Sequence, residues 1–266
     1  MTWWLLSYVA LGLASGFVAG LFGVGGGLTI VPILLLLFKA QAFPEDQLMH
    51  LALGTAMATI VVTSISSMRA HHQHGGVRWD VFRGMAPGLV AGTLLGSLFA
   101  SRVATDLLAI SFTAIVYWAA LQMLLDLKPK ASRQLPGVGG LLGVGGLIGG
   151  VSSLVAAGGG FMSVPFMALC NVPIRQAVGT SAALGFPIAA AGVIGYIAGG
   201  WHVAGLPGPN LGFVYLPAFL GVVVSTIFMA PVGARLAHRL PVKQLKRAFG
   251  AMLALLATKM LWSLIG

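Results

Sequence analysis

Residues 20–38 read GLFGVGGGLTIVPILLLLF, and residues 153–171 read SLVAAGGGFMSVPFMALCN. In both stretches three glycines are followed by four residues and a proline, at Gly25, Gly26, Gly27 and Pro32 and, 133 positions later, at Gly158, Gly159, Gly160 and Pro165. Small residues upstream recur at the same offset: Gly12, Gly16 and Gly20 as Gly145, Gly149 and Ser153. The chain is therefore interpreted as a duplication, with repeats at 1–130 and 131–266 in a single membrane domain.

The composition is that of a membrane protein: 58% of the 266 residues are hydrophobic and 8% are charged. Apolar runs approach or exceed the roughly 17 to 25 residues that cross a bilayer. They predict eight full spans, at 3–22, 51–68, 84–100, 107–126, 137–156, 177–199, 211–230 and 246–265. Two short segments, 27–38 and 161–170, reach only about 15 to 18 Å. The predicted fold is an all-α polytopic protein of ten segments, with loops at 69–83 and 231–247.

The basic residues indicate how the short segments run. If each short segment extends the helix before it, six Lys and Arg residues fall on one side and eight on the other. If each turns back, twelve share one face against Lys39 and Arg102 on the other; the twelve are Arg69, Arg78, Arg83, Lys128, Lys130, Arg133, Arg175, Arg235, Arg239, Lys243, Lys246 and Arg247. The positive-inside rule favours the second arrangement. It predicts two Gly-rich broken-helix hairpins in inverted repeats. The protein is expected in the plasma (inner) membrane, with both termini outside the cytoplasm.

The hairpin tips are the predicted site. Three glycines in succession are poor helix formers, and a short helix that starts after them points unpaired N–H groups and a positive dipole end at the tip. This arrangement binds anions. The expected binding residues are Gly25, Gly26, Gly27, Thr29, Thr55, Gly158, Gly159, Gly160, Ser163, Thr180 and Ser181, with helix breaks marked by Pro32 and Pro165. Helix packing is the alternative role of such glycines, and it is favoured for Gly12, Gly16 and Gly20.

The polar residues narrow the chemistry. Glu45, Asp46, Asp80, Asp106 and Asp126 all fall in predicted loops or at span ends, where they suit neither a cation pathway nor an intramembrane protease. All six histidines lie outside the cores of the predicted spans. Cys170 is the only cysteine. An enzyme is not expected, and neither a cofactor nor a resident metal is predicted.

The stretches GLFGVGGGLTIVPILLLLF, AAGGGFMSVPFMAL and VPIRQAVGTSAAL resemble the TauE/SafE family of sulfite exporters, also called the toluene sulfonate uptake permease family. The resemblance covers nearly the whole chain. It implies a multi-pass plasma-membrane protein that moves sulfite, sulfonates or related small sulfur-containing anions. The first repeat departs from the second by about eight extra residues between Pro32 and Gly54, and this insertion holds Lys39, Glu45 and Asp46.

The sequence thus predicts a secondary transporter that moves a small sulfur-containing anion by alternating access. Membrane lipid is an expected partner, and nucleic acid is not. An anion channel of the same architecture is the first alternative, and a divalent-metal permease that uses His71, His72 and His74 is the second. Arg175 is either a cytoplasmic anchor or a cation that draws anions toward the site. The sequence leaves two alternatives open: whether a proton is the coupling ion, and whether the protein forms a homo-oligomer.

Overall fold

The computed structural model describes residues 2–22, 26–125, 133–237 and 242–265, and these residues form ten α-helices. The helices are α1 (Thr2–Phe22), α2 (Gly27–Ala40), α3 (Leu48–Gln73), α4 (Trp79–Ala100), α5 (Thr105–Leu124), α6 (Val138–Val155), α7 (Gly160–Leu169), α8 (Ile174–Gly200), α9 (Leu216–Ala237) and α10 (Val242–Ile265). A hairpin of two short antiparallel strands, β1 (Asn210–Leu211) and β2 (Val214–Tyr215), precedes α9.

The helices are those of a multi-pass membrane protein. Within the described residues, α3, α4, α5, α6 and α8 are long and apolar enough to cross a bilayer. Large apolar side chains on the outer helices stay exposed, among them Phe99 and Leu147. Such a surface suits contact with lipid, because apolar side chains gain no hydrophobic free energy when they are buried away from lipid tails. The predicted all-α polytopic class is confirmed.

Both short helices turn back toward the start of the helix before them. At the end of α2, the Gln41 side-chain amide donates to the Tyr8 hydroxyl in α1 over 2.6 Å. The Tyr8 ring also packs edge-on against Phe38, with centroids 6.4 Å apart. In the second half the Arg133 N–H, before α6, donates to the Leu169 carbonyl at the end of α7 over 3.2 Å. These contacts are those of returning hairpins, the arrangement that the basic residues favour.

The two halves pack on each other through equivalent elements. Helix α1 lies against α9 as α6 lies against α4, and α5 lies against α10. Glycines permit the close approach: a Cβ added at Gly12 would lie 2.5 Å from the Val222 carbonyl oxygen, and one added at Gly145 would lie 2.5 Å from that of Met85. Gly12 and Gly16 therefore serve packing, as the sequence favours.

Helices α3 and α8 form the centre of the bundle and run antiparallel. The start of α3 and the end of α8 meet the same residue, since Cβ atoms added at Gly54 and Gly200 would both contact the Phe213 backbone. At the other end of the pair, Gly179 of α8 packs on Gly76, just beyond α3. Residues 51–60 of α3 are all buried. The other helices therefore pack around this central pair.

Two predicted loops are shorter than expected. Helix α3 continues to Gln73, because the first break is Gly75, whose φ is 64°. The stretch 231–247, predicted as a loop, belongs largely to α9 and α10 in its described part. Conversely, the predicted span at 211 begins only at residue 216, since 210–215 form the β-hairpin.

Candidate functional site

At each hairpin tip, a glycine in the left-handed conformation caps the short helix. Gly26 has φ 74° and caps α2, and Gly159 has φ 75° and caps α7. Residues with a side chain rarely adopt this backbone conformation, so glycine is the residue that suits both positions. We call residues 26–29 the first tip and residues 156–163 the second tip. Gly25 lies outside the described residues.

Both tips leave backbone N–H groups without acceptors among the residues that the structure describes. In the first tip the amides of Thr29 and Ile30 donate to the Gly26 carbonyl over 3.0 Å. The amides of Gly27 and Leu28 have no acceptor among the described residues. The second tip repeats this pattern: Met162 and Ser163 donate to the Gly159 carbonyl, and the described residues offer no acceptor to Gly160 and Phe161. Each tip is thus the positive end of a helix.

The two tips touch each other. A Cβ added at Gly27 would lie 1.7 Å from the Ala156 carbonyl oxygen and 2.7 Å from Ile60 Cδ1. Gly158 packs on Gly185, where an added Cβ would lie 3.5 Å from the Gly185 Cα. Ile60 lies near the middle of α3 and Gly185 near the middle of α8. The contact therefore lies at mid-length of the central helix pair.

Hydroxyl groups hold the tips in shape. Thr29 Oγ1 donates to the Gly26 carbonyl over 2.7 Å. Ser163 Oγ lies 2.8 Å from both the Gly159 carbonyl oxygen and Ser181 Oγ. All three side chains are buried. The structure thus brings Thr29, Ser163 and Ser181 to the tips, where two of them bond to the carbonyl of the capping glycine.

The helix breaks are at the glycines and not at the prolines. Pro32 lies inside α2 and Pro165 lies inside α7, each five residues beyond the first residue of its helix. A proline here lacks the N–H that would reach the carbonyl four residues earlier, which belongs to Leu28 or Phe161. The marking of Pro32 and Pro165 as helix breaks was therefore wrong, because each helix continues through its proline.

The Thr55 and Thr180 hydroxyls bind backbone groups of the opposite half instead of the tips. Thr55 Oγ1 accepts the Tyr215 N–H over 3.0 Å, and Thr180 Oγ1 accepts the Arg78 N–H over 2.9 Å. Both threonines are fully buried. The preceding glycine admits the loop in each case, since added Cβ atoms would lie 2.4 Å from the Phe213 oxygen at Gly54 and 2.3 Å from the Gly76 oxygen at Gly179.

We call these contacts the Thr55 dock (Gly54 and Thr55 against Phe213 and Tyr215) and the Thr180 dock (Gly179 and Thr180 against Gly76 and Arg78). They lie at opposite ends of the α3–α8 pair, with the tips between them. Each dock joins the central helix of one repeat to the loop before a helix of the other, α9 or α4. The site therefore has one closed contact on either side.

Arg175 belongs to the surroundings of the Thr180 dock. It is exposed in the first turn of α8, ten residues before Gly185, which is about 15 Å along the helix. A Cβ added at Gly76 would lie 3.7 Å from the Arg175 carbonyl oxygen. Arg78 pairs with Asp80 beside it. The structure does not bring Arg175 to the tips, and its predicted role is confined to the approach to them.

Three buried side-chain atoms lack a hydrogen-bond partner among the described residues: Ser152 Oγ, Thr93 Oγ1 and His50 Nε2. Ser152 lies in the last turn of α6, directly before the second tip, and its carbonyl accepts the Ala157 N–H. Sequence analysis missed Ser152, and its position in the Ser152–Ser153 pair at the helix end was the only signal. It also placed His50 outside a span, whereas the structure buries His50 in the first turn of α3.

The histidine run has local partners. Trp79 Nε1 donates to His72 Nδ1 over 3.3 Å, and His74 Nδ1 lies 2.8 Å from the Ala70 carbonyl oxygen. Across the described part of the chain, no group of three His, Cys, Asp or Glu side chains is placed to hold a metal ion.

Comparison with known proteins identifies the family. The sulfite exporter TauE/SafE family matches residues 8–260. A probable membrane transporter protein of Haemophilus influenzae is 37% identical over 96% of this chain and 97% of its own length. The probable membrane transporter protein YdhB of Bacillus subtilis is 27% identical over 88% of this chain and 90% of its own. No solved structure matches. The chain belongs to the TauE/SafE family of sulfite exporters, whose relatives are described as membrane transporters.

Proposed function

We propose that this protein is a secondary transporter that carries sulfite, a sulfonate or a related small sulfur-containing anion across the plasma membrane by alternating access. The observation that carries the proposal is the pair of glycine tips in contact at mid-length of α3 and α8. The family supports the substrate class, because its members are named sulfite exporters.

The tips have the chemistry that an anion requires. Two helix starts, at Gly27 and Gly160, direct positive dipole ends, and amides that have no acceptor among the described residues, into the middle of the bundle. The buried hydroxyl of Ser152, which has no partner in the described part of the chain, lies beside the second tip. In the present conformation the Ala156 carbonyl lies against Gly27, so the anion would separate the tips when it binds.

The repeats, at 1–130 and 131–266, are proposed to be inverted, because α3 and α8 run antiparallel and occupy equivalent positions. The distribution of basic residues supports a cytoplasmic position for the Thr180 dock and an outer position for the Thr55 dock, with both termini outside. Alternating access follows if the two docks open in turn. The tip site would then communicate with one side at a time.

Two alternatives keep the same fold. An anion channel would open both docks together, and its flux would never exceed equilibrium, whereas a coupled transporter accumulates its anion against a gradient. A divalent-metal permease would depend on His71, His72 and His74, and their joint replacement would abolish its transport. The second alternative is weakened by the local partners of His72 and His74.

The test combines binding with transport. We expect sulfite, thiosulfate or an aryl sulfonate to raise the melting temperature of the purified protein, and Gly159→Val to abolish both this shift and anion uptake. An added Cβ at Gly159 would lie 2.6 Å from Ile188 Cδ1, and φ is 75°. Gly143→Val is the matched control, since an added Cβ there meets no atom within 4 Å. Uptake near that of the wild type in both Gly26→Val and Gly159→Val would contradict the proposal.

A further inference from the structure

A cavity of about 590 Å³ lies beside the Thr55 dock. Its charged lining residues, within the described part of the chain, come from three elements: Glu45 and Asp46 from the turn before α3, Arg102 from the α4–α5 loop, and Asp106 from α5. All four are exposed. Three carboxylates against one guanidinium make the cavity acidic, so it attracts protons and other cations more than anions.

His50 forms the inner wall of this cavity. The side chain is only 3% exposed, and its ring stacks on Phe213 with centroids 4.9 Å apart. Nδ1 lies 3.3 Å from Thr105 Oγ1, and Nε2 has no partner in the described part of the chain. Of the Asp, Glu, His, Lys and Arg residues whose burial the structure describes, His50 alone is buried. It is therefore the one member of this set that lies in the interior of the described structure.

His50 is tied directly to the Thr55 dock. Phe213, on which the ring stacks, presents its carbonyl to Gly54, and two residues later the Tyr215 N–H binds Thr55. His50 precedes Thr55 by five residues, and Arg175 precedes Thr180 by five. The equivalent positions of the two repeats thus hold a titratable residue at one dock and a permanent cation at the other.

We propose that His50 binds a proton from the outer solution and that this proton opens the Thr55 dock. The inference rests on the proposed transport function, because it assigns the control of one access route to the tips. A neutral imidazole packs well on Phe213 in the closed dock. A buried imidazolium with no partner for Nε2 is unfavourable, and opening the dock lets water or the carboxylates of the cavity reach it.

The sign of the pH effect follows from linkage. The open state exposes His50 to water and so binds the proton more tightly than the closed state. Acid therefore favours the open state, and one proton changes the ratio of open to closed protein by at most about tenfold per pH unit.

The test follows the dock without any transported anion. A cysteine at Ala52, which is fully buried two residues after His50, would be labelled by a thiol reagent in full-length Cys170→Ala protein. The rate is divided by that of a cysteine at the exposed Ala204, which corrects for the pH dependence of the thiol. From about pH 8 to about pH 6, the range in which imidazole titrates, we expect the corrected rate to rise several-fold.

Two variants decide the outcome. His50→Gln should give a slow rate that no longer depends on pH, and His50→Arg, which copies the charge of Arg175, should give a fast rate that does not depend on pH. Unchanged pH dependence in His50→Gln would overturn the inference, as would its loss in Asp46→Asn or Asp106→Asn with His50 intact. Because the readout needs no anion, loss of anion-induced thermal shifts would count against the proposed transport function alone.

Discussion

Replacing Gly179 by alanine tests whether the Thr180 dock is a gate. The new Cβ would lie 2.3 Å from the Gly76 carbonyl oxygen and 2.7 Å from its carbonyl carbon. Non-bonded carbon atoms pack at roughly 3.5 Å or more, so the loop must move by about 1 Å. The hydrogen bond from the Arg78 N–H to Thr180 Oγ1 is 2.9 Å long. A shift of this size would stretch it to about 4 Å and break it.

The expected effect follows from burial. Thr180 is fully buried, so a hydroxyl left without its donor costs about 1 to 3 kcal/mol. This cost falls on the state in which the dock is closed. The ratio of closed to open protein should therefore fall by about 5- to 150-fold at this end. Gly54→Ala is the matched variant, with its Cβ 2.4 Å from the Phe213 oxygen and the Thr55 bond at 3.0 Å.

Labelling of single cysteines reads both ends. Ala177 and Ala52 are fully buried and lie three residues before Thr180 and Thr55. In Gly179→Ala, labelling of a cysteine at 177 should become faster and that at 52 slower, and Gly54→Ala should reverse the pattern. Thr180→Val and Thr55→Val remove the acceptor without a clash and should act in the same directions. Faster labelling at both positions in every variant would refute the gate, because it would indicate general loosening.

Two further predictions concern the tips and the topology. Gly27→Ala should abolish anion uptake, because its Cβ would lie 1.7 Å from the Ala156 oxygen. Gly158→Ala should keep most of the uptake, because its Cβ would lie 3.5 Å from the nearest atom. Equal uptake in the two variants would show that the contact between the tips is dispensable. Labelling in intact cells of the Cys170→Ala protein should place cysteines at His72 and Ser132 in the cytoplasm and those at Asp46 and Gly205 outside, and opposite sides for positions 72 and 132 would contradict the proposed topology.

The hairpins could be predicted because their signals are local. Three consecutive glycines oppose a helix wherever they occur, and the count of basic residues on each face needs only the order of the spans. Gly26 and Gly159 indeed adopt the left-handed conformation. The prolines misled the prediction, since α2 and α7 continue through Pro32 and Pro165. The positive-φ glycines Gly26 and Gly159 cap the starts of the two short helices, and Ala156, whose φ is 45°, caps the end of α6.

The partners of buried polar groups could not be predicted. Thr55 binds a residue 160 positions away and Thr180 one 102 positions away, and no pattern near either threonine names these partners. His50 was placed outside the core of a span, because nothing in its neighbourhood indicates that Phe213 covers it. Exposure of a helix terminus depends on which loops fold over it, and these loops come from the opposite repeat.

By itself the sequence determined the membrane class, the returning hairpins and the two glycine tips, because composition, charge and backbone preference act within a few residues. The tertiary structure alone decided that the tips meet at mid-length of α3 and α8. It also decided that Thr55 and Thr180 fasten loops on either side, and that His50 is buried beside an acidic cavity. Those features arise where the antiparallel packing of the halves brings distant residues within hydrogen-bond distance.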